Sequence, residues 1–201
     1  MSVITVSRQF GAGGLTLGKM VSKKLGYNFF DSEIIQMVAK KARVSTHWVE
    51  SMEKEAGGKF QRFVSQLVPK GLVDRILDDQ RGYLDEEIYV DLLHDIISKI
   101  ADEGNTVILG RGSQYILKEH KAARHVLLVA DKEYRILFIE EQYDLFTKHA
   151  VNTVNMEDKR RLNLFRRFHK EDYDSPAHYD LVLNTRKVSL DKACELICKL
   201  V

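Results

Sequence analysis

Val3-Ile4-Thr5-Val6, followed at once by Ser7-Arg8-Gln9-Phe10-Gly11-Ala12-Gly13-Gly14-Leu15-Thr16, is the stretch on which the reading of this chain turns. Four β-branched residues in a row predict a short strand. Glycine then takes positions 11, 13 and 14, after which Leu17, Met20, Val21 and Leu25 recur at helical spacing until Gly26. The pattern is strand, glycine-rich turn, helix. Such a turn is a general device for holding phosphate, because open backbone amides and the positive end of the helix dipole both face the anion. Two familiar motifs fit poorly. Gly13 to Lys19 has Walker A spacing but continues into Met20 where Ser or Thr belongs, and a dinucleotide fingerprint fails at Thr16. A plain glycine turn between strand and helix remains the bland alternative.

Working outward, Tyr27 to Phe30 predicts a second strand, and Asp31 and Ser32 can cap a helix carrying Ile34, Ile35, Val38 and Ala39. A further helix is expected around Trp48, Val49 and Met52. Between Gly57 and Gly82 the periodicity weakens, which predicts a mobile helical insert. Ile88, Leu92, Leu93, Ile96, Ile97 and Ile100 predict a long helix over 85–103. Strands follow at Thr106–Leu109, closed by Gly110-Arg111-Gly112, at His125–Ala130 before a helix from Lys132, and at Tyr179–Leu183 before a helix opened by Ser189. Alternating strands and helices predict a parallel sheet covered on both faces.

Composition narrows the class. At 201 residues, 44% hydrophobic and 30% charged with two prolines, the chain reads as one folded α/β domain rather than a disordered or fibrous one. No apolar stretch approaches the roughly 18 to 20 residues that span a bilayer, and MSVITVSRQF lacks a signal-peptide pattern, so a cytoplasmic location is expected. Cys194 and Cys198 read as packing residues. A net charge of +2 is too close to neutral to argue for nucleic acid or a membrane, neither of which is expected as a partner, so any anionic ligand must be sought in a local cluster. One exists: Lys159, Arg160, Arg161, Arg166, Arg167 and Lys170 stand against Glu157 and Asp158, six minus two, or +4. Helical spacing puts Lys159, Arg160, Asn163, Arg166 and Arg167 on one broad face and Leu162, Phe165 and Phe168 on much of another. A mobile lid, a solvated helix face and an RNA-binding stripe are the readings of this segment; the lid is preferred.

Ile4 to Gly11, Phe30-Asp31-Ser32-Glu33-Ile34-Ile35, Val107-Ile108-Leu109-Gly110-Arg111-Gly112 and Tyr179 to Thr185 together resemble the cytidylate kinase-like family, over nearly the whole chain. The resemblance implies a P-loop kinase fold: three-layer α/β/α, a five-stranded parallel sheet, a helical acceptor insert and a lid. It divides the single domain 1–201 into a core (1–44, 85–150 and 173–201), an insert at about 45–84 and a lid at about 151–172. Gly11-Ala12-Gly13-Gly14-Leu15-Thr16 is similar to the G-A-G-K-G-T phosphate loop of nucleoside monophosphate kinases, with Gly14 in the lysine's place and Arg8 where the motif opens with glycine; in this branch S-R-Q-F-G-x-G-G replaces the lysine-bearing loop.

The implied activity is transfer of the γ-phosphoryl group of ATP, with Mg²⁺, to CMP, dCMP or a related small acceptor. Arg8 and Gly11 to Thr16 would hold the donor, with the Thr16 hydroxyl near the metal. Arg111 and Asp31 would hold the acceptor, and Arg160, Arg161, Arg166 and Arg167 the transferring group. Leu109 stands where the parent kinases carry a Walker B type aspartate, and Gln114 where aspartate is frequent, so the metal shell looks thin. A nucleotide-binding module without turnover is the rival from another class, and a kinase of a different small metabolite comes third. The partner is a small nucleotide; oligomeric state is not readable.

Overall fold

A computed structural model describes residues 2–31, 86–168 and 172–201, with backbone only for residues 86–89, Leu92 and Arg167. The helices expected after Asp31 and around Trp48, the weak-patterned insert and the acceptor segment 45–84 lie outside the described residues.

Five parallel strands form one sheet: β1 (Val3–Arg8), β2 (Asn28–Phe30), β3 (Thr106–Leu109), β4 (Ala123–Val129) and β5 (Leu181–Asn184), in the order β2-β3-β1-β4-β5. β1 is central, pairing Val3 to Val6 with Thr106 to Leu109 on one side and Val3 to Arg8 with Ala123 to Leu128 on the other. Its residues Val3 to Ser7 are all buried, as a strand covered on both faces requires.

The helices are α1 (Gly14–Leu25), α2 (Glu86–Glu103), α3 (Ser113–Ile116), α4 (Lys132–Tyr143), α5 (Thr147–Arg167) and α6 (Leu190–Cys198). Local chemistry sets their ends. Gly26 turns left-handed and caps α1. Asp131 accepts from the Tyr134 amide at the start of α4, and Ser189 from the Lys192 amide at the start of α6. Ile4, Val6, Val107, Leu109, Val126 and Leu128 face Leu17 and Val21 of α1 and Ala193, Cys194 and Ile197 of α6 in one core. Cys194 is thus a packing residue. On the other face α2 buries Leu93, Ile96, Ile97 and Ile100 and packs on β3.

Strand ends differ from the sequence reading by one or two residues, and the starts of β4 and β5 have a clear cause. β4 begins two residues early because Ala123 and Arg124 already pair with Val3 and Ile4. β5 begins later: Asp180 spends its carboxylate on the His125 amide (2.7 Å) while its own amide donates to the His125 carbonyl (2.8 Å). Among the described residues no helix is long and apolar enough to cross a membrane.

Candidate active site at the carboxyl edge of the sheet

β1 ends at Arg8, β2 leads into Asp31 and β3 into the Gly110-Arg111-Gly112 turn, so three of the sequence-selected residues collect at one sheet edge. Ligands of open parallel sheets bind at this edge, where the strand order reverses.

The loop is shaped to face an anion. The Ala12 amide closes a turn on the Gln9 carbonyl (3.1 Å), Gly11 and Gly13 are left-handed (φ 86° and 76°), and α1 starts at Gly14 with no side chain capping its first amides. Those amides and the helix dipole point out of the loop. Gly11, Ala12, Gly13 and Gly14 are buried, whereas Leu15 and Thr16 are exposed on the first turn of α1. Arg135 of α4 fixes the loop from behind. Its Nη1 donates to the Phe10 carbonyl (2.9 Å), and a Cβ on Gly11 would lie 2.6 Å from the Arg135 carbonyl oxygen.

Arg8 runs under this loop. A Cβ on Gly14 would sit 2.7 Å from Arg8 Cγ and 3.2 Å from Cδ, and a Cβ on Gly110 would collide with the guanidinium. The side chain therefore fills the space between the start of α1 and the turn after β3. Burial pushes its pKa down to about 10, and the neighbouring charges of Arg161 and Arg111 push the same way, against Glu157 and Asp31. Three arginines thus act on one another's charge at one edge, and Arg8 stays protonated at neutral pH.

The turn after β3 is unusual. Gly110, Arg111 and Gly112 are all left-handed (φ 78°, 57° and 71°), and arginine at such an angle is strained by about 1 kcal/mol or more. The Phe168 ring covers Gly112, where a Cβ would approach it to 2.6 Å. Leu109 is buried in the core, and Gln114 is buried in α3, donating to the Tyr179 hydroxyl (3.3 Å). Among the described residues no group of three or more His, Cys, Asp or Glu side chains is arranged to hold a metal ion.

The basic segment is one helix, α5, and its charges divide. Lys159, Arg160, Asn163 and Arg166 are exposed, the broad basic face expected from spacing; Arg160 pairs with Glu157 (2.5 Å). Arg167 ends the helix, and Lys170 lies outside the described residues. Arg161 turns the other way. It is 13% exposed, grips both oxygens of Asp174 (2.9 and 2.5 Å), donates to Ser7 Oγ (3.1 Å), and lies over the rings of Phe165 (4.6 Å) and Tyr173 (5.1 Å). Of the four arginines, Arg161 alone among the described side chains reaches the loop. The signal for this was in the chain: Ala150, Val154, Asp158, Arg161, Phe165 and Phe168 follow at intervals of three and four, an inward stripe that carries Arg161 with it.

Asp158 on the same stripe binds Arg135 through both carboxylate oxygens (2.9 and 3.0 Å). Helix α5 therefore touches the phosphate-type loop through Asp158 and Arg135, and the Arg111 turn through Phe168. Sequence reasoning missed Arg135, Ser7 and Asp174. No motif marks Arg135 or Asp174, and Ser7, though it opens the S-R-Q-F-G stretch, shows no role there, because each matters only through a partner distant in the chain.

The fold and this edge, with a glycine-rich loop opening the first helix and arginines gathered beside it, define the class: a kinase-like phosphotransferase of the P-loop kinase fold. The sequence profile of the cytidylate kinase-like family matches residues 3–187, and the chain belongs to that family. A curated relative, the cytidylate kinase of Archaeoglobus fulgidus, is 26% identical over 203 residues, 98% of this chain and 93% of its own. An uncharacterized protein from Eubacterium ventriosum has a similar structure, with a TM-score of 0.68 at 19% identity, covering 100% of this chain and 98% of the other. Shikimate kinase from Bacteroides thetaiotaomicron shares the fold at a TM-score of 0.51 and 12% identity, covering 99% and 97% of the two chains.

Proposed function

We propose that this protein is a cytoplasmic ATP-dependent kinase that transfers a phosphoryl group to CMP, dCMP or a related small acceptor. The observation that carries this reading is the Arg8 guanidinium lodged between the glycine loop and the Arg111 turn, where a donor's terminal phosphate and an acceptor's phosphate would meet. In the reaction, an oxygen of the acceptor monophosphate forms a bond to the γ-phosphorus as the bond from that phosphorus to the bridging β,γ-oxygen breaks, and ADP leaves with the electron pair. A monophosphate acceptor is already an anion, so no general base is needed.

The chain's own residues divide that work. Amides of Gly11 to Thr16 bind the donor phosphates at the N-terminus of α1. Arg8 stands in for the absent lysine, as a fixed cation facing the β- and γ-phosphates. Arg111 holds the acceptor phosphate by its fork, and Asp31, close enough to act on the charge of Arg8, faces the acceptor's sugar or base. Arg161 meets the transferring group, while Arg160, Arg166 and Arg167 strengthen the positive field of a lid at about 151–172. Mg²⁺ fits a site in which Thr16 supplies a hydroxyl and phosphate oxygens and water supply the rest, since this ion keeps much of its hydration; it would neutralise charge on the phosphates. The acceptor segment is the stretch at about 45–84.

One observation favours a second reading, a nucleotide-binding module without turnover: Leu109 is buried in the core at the place of the missing aspartate. A coupled ATP-turnover assay over a panel of nucleoside monophosphates, run beside direct ATP binding, separates the two. Turnover on CMP or dCMP is expected; ATP binding without turnover on any acceptor would select the module, and turnover confined to an acceptor that is not a nucleotide would select a kinase of another small metabolite.

A further inference from the structure

Asp174 lies in the segment just before β5 and belongs to none of the motifs. Its carboxylate takes both terminal nitrogens of Arg161 (2.9 and 2.5 Å) and accepts from Gln9 Nε2 at 3.4 Å. Gln9 is held in turn, its Oε1 accepting from the Ala130 amide (3.2 Å). Ser7 Oγ receives a third bond from Arg161, and the guanidinium lies against both Phe165 and Tyr173, whose rings stack on each other at 5.0 Å. Arg161 is therefore held by Asp174, Ser7, Phe165 and Tyr173, and Ser7 directly, with Gln9 through Asp174, ties it to both chain neighbours of Arg8.

From this we propose that Asp174 is a positioning residue, which locks Arg161 in one orientation beside Arg8 so that its remaining donors face the bound phosphates. Among the described residues, three of the five N–H donors of Arg161 go to Asp174 and Ser7, leaving Nε–H and one on Nη1. A bidentate carboxylate suits this task because its two oxygens match the guanidinium fork and set the plane as well as the distance. It also offsets the repulsion between Arg161 and Arg8, which already lowers the pKa of Arg8. An unpaired Arg161 would swing away from Arg8, and catalysis by positioned charge falls off steeply with misplacement.

The inference rests on the phosphotransferase reading, and its test separates the two. Asp174→Asn is nearly isosteric but offers one acceptor oxygen and a competing NH₂. It should lower kcat by tenfold or more with ATP affinity changed less than about threefold, and Asp174→Glu should recover part of the loss. In an Arg161→Ala background, Asp174→Asn should have no further effect on kcat. Independent, multiplicative losses would overturn the proposal, as would tighter ATP binding with kcat unchanged, which would make Asp174 a competitor of phosphate. If the unaltered protein turns over no acceptor, the kinase reading fails while this one is still decided: the guanidinium NMR signals of Arg161, assigned by their absence in Arg161→Lys, should be sharp in the parent and lost in Asp174→Asn. Signals that persist in the Asn variant would overturn it. A cooperative melt for each variant guards against misfolding, and Asp174→Glu carries the same comparison if the Asn variant fails that check.

Discussion

The methylenes of Arg8 occupy the volume that any side chain on Gly14 would need: a Cβ there would lie 2.7 Å from Arg8 Cγ and 3.1 Å from its Cβ. Arginine at 8 and glycine at 14 are thus one choice made twice. A lysine at 14 has no room while Arg8 is present, and a glycine at 8 would leave the space between loop and turn without the cation that fills it.

Gly14→Lys alone should therefore damage the site rather than repair it. Overpacking of this kind costs about 1 to 3 kcal/mol. We expect a lower melting temperature and weakened ATP binding, with the paired change Arg8→Gly plus Gly14→Lys recovering both relative to Gly14→Lys. Thermal melts and ATP titrations of the three variants check this; a single Gly14→Lys variant as stable as the parent would refute the packing argument.

Arg8→Ala removes the cation that stands between loop and turn. A lost charge-assisted contact is worth roughly 1.5 to 3 kcal/mol, so ATP affinity or phosphoryl transfer should fall by an order of magnitude or more. Isothermal titration with ATP and steady-state rates are the measurements. Because the pKa of Arg8 is about 10, no change in this contribution is expected between pH 6 and 8.

Arg111→Lys keeps the charge and loses the fork. Acceptor KM should rise, or kcat fall, with ATP affinity nearly unaltered. Arg111→Gly adds a second readout. It relieves a strained φ of 57°, so it should be at least as stable as Arg111→Ala, which keeps that strain, while acceptor use is lost in both. A glycine variant clearly less stable than the alanine variant in thermal melts would count against strain at this turn.

The four arginines of α5 should not behave alike. Arg161→Ala should lower kcat by tenfold or more, whereas Arg160→Ala and Arg166→Ala, on the exposed face, should each change it by less than about threefold. Hydrogen exchange over 155–168 with and without ATP plus acceptor tests the lid: protection should increase on binding, and equal protection would leave α5 a fixed strut.

His125 predicts an acid-side loss of stability. Its Nδ1 is 2.7 Å from Thr5 Oγ1, and burial lowers its pKa, against Asp180 and the Leu117 carbonyl and with Arg124 and His120. A lowered folded-state pKa means the unfolded chain takes up the proton first. The stabilisation is complete above about pH 6.5 and declines as pH falls from there through the folded-state value. Urea midpoints from pH 7.5 to 5 should decrease, and His125→Gln should flatten part of that slope.

How far the chain could be read without its fold differs by region. β1, the glycine turn and α1 are local events: four β-branched residues make a strand, Gly11 and Gly13 supply left-handed angles, and Leu17 and Val21 supply a buried helical face. The residues themselves dictate those conformations, and the family followed from the same stretch with the three others that match it. The basic cluster from Lys159 to Arg167 on α5 and the helix's apolar stripe are equally plain.

The order β2-β3-β1-β4-β5 and the meeting of Arg8, Arg111 and Arg161 were decided only by tertiary structure. Spacing along a helix tells which residues share a face, but which face turns to the sheet depends on what covers it. Arg161 looks inward because Phe165 and Phe168 must be buried and Asp174, thirteen residues on, returns with a carboxylate to pair it. Arg135, Asp158 and Ser7 gain their roles the same way: a buried charge or hydroxyl needs a partner, and packing rather than sequence order supplies it.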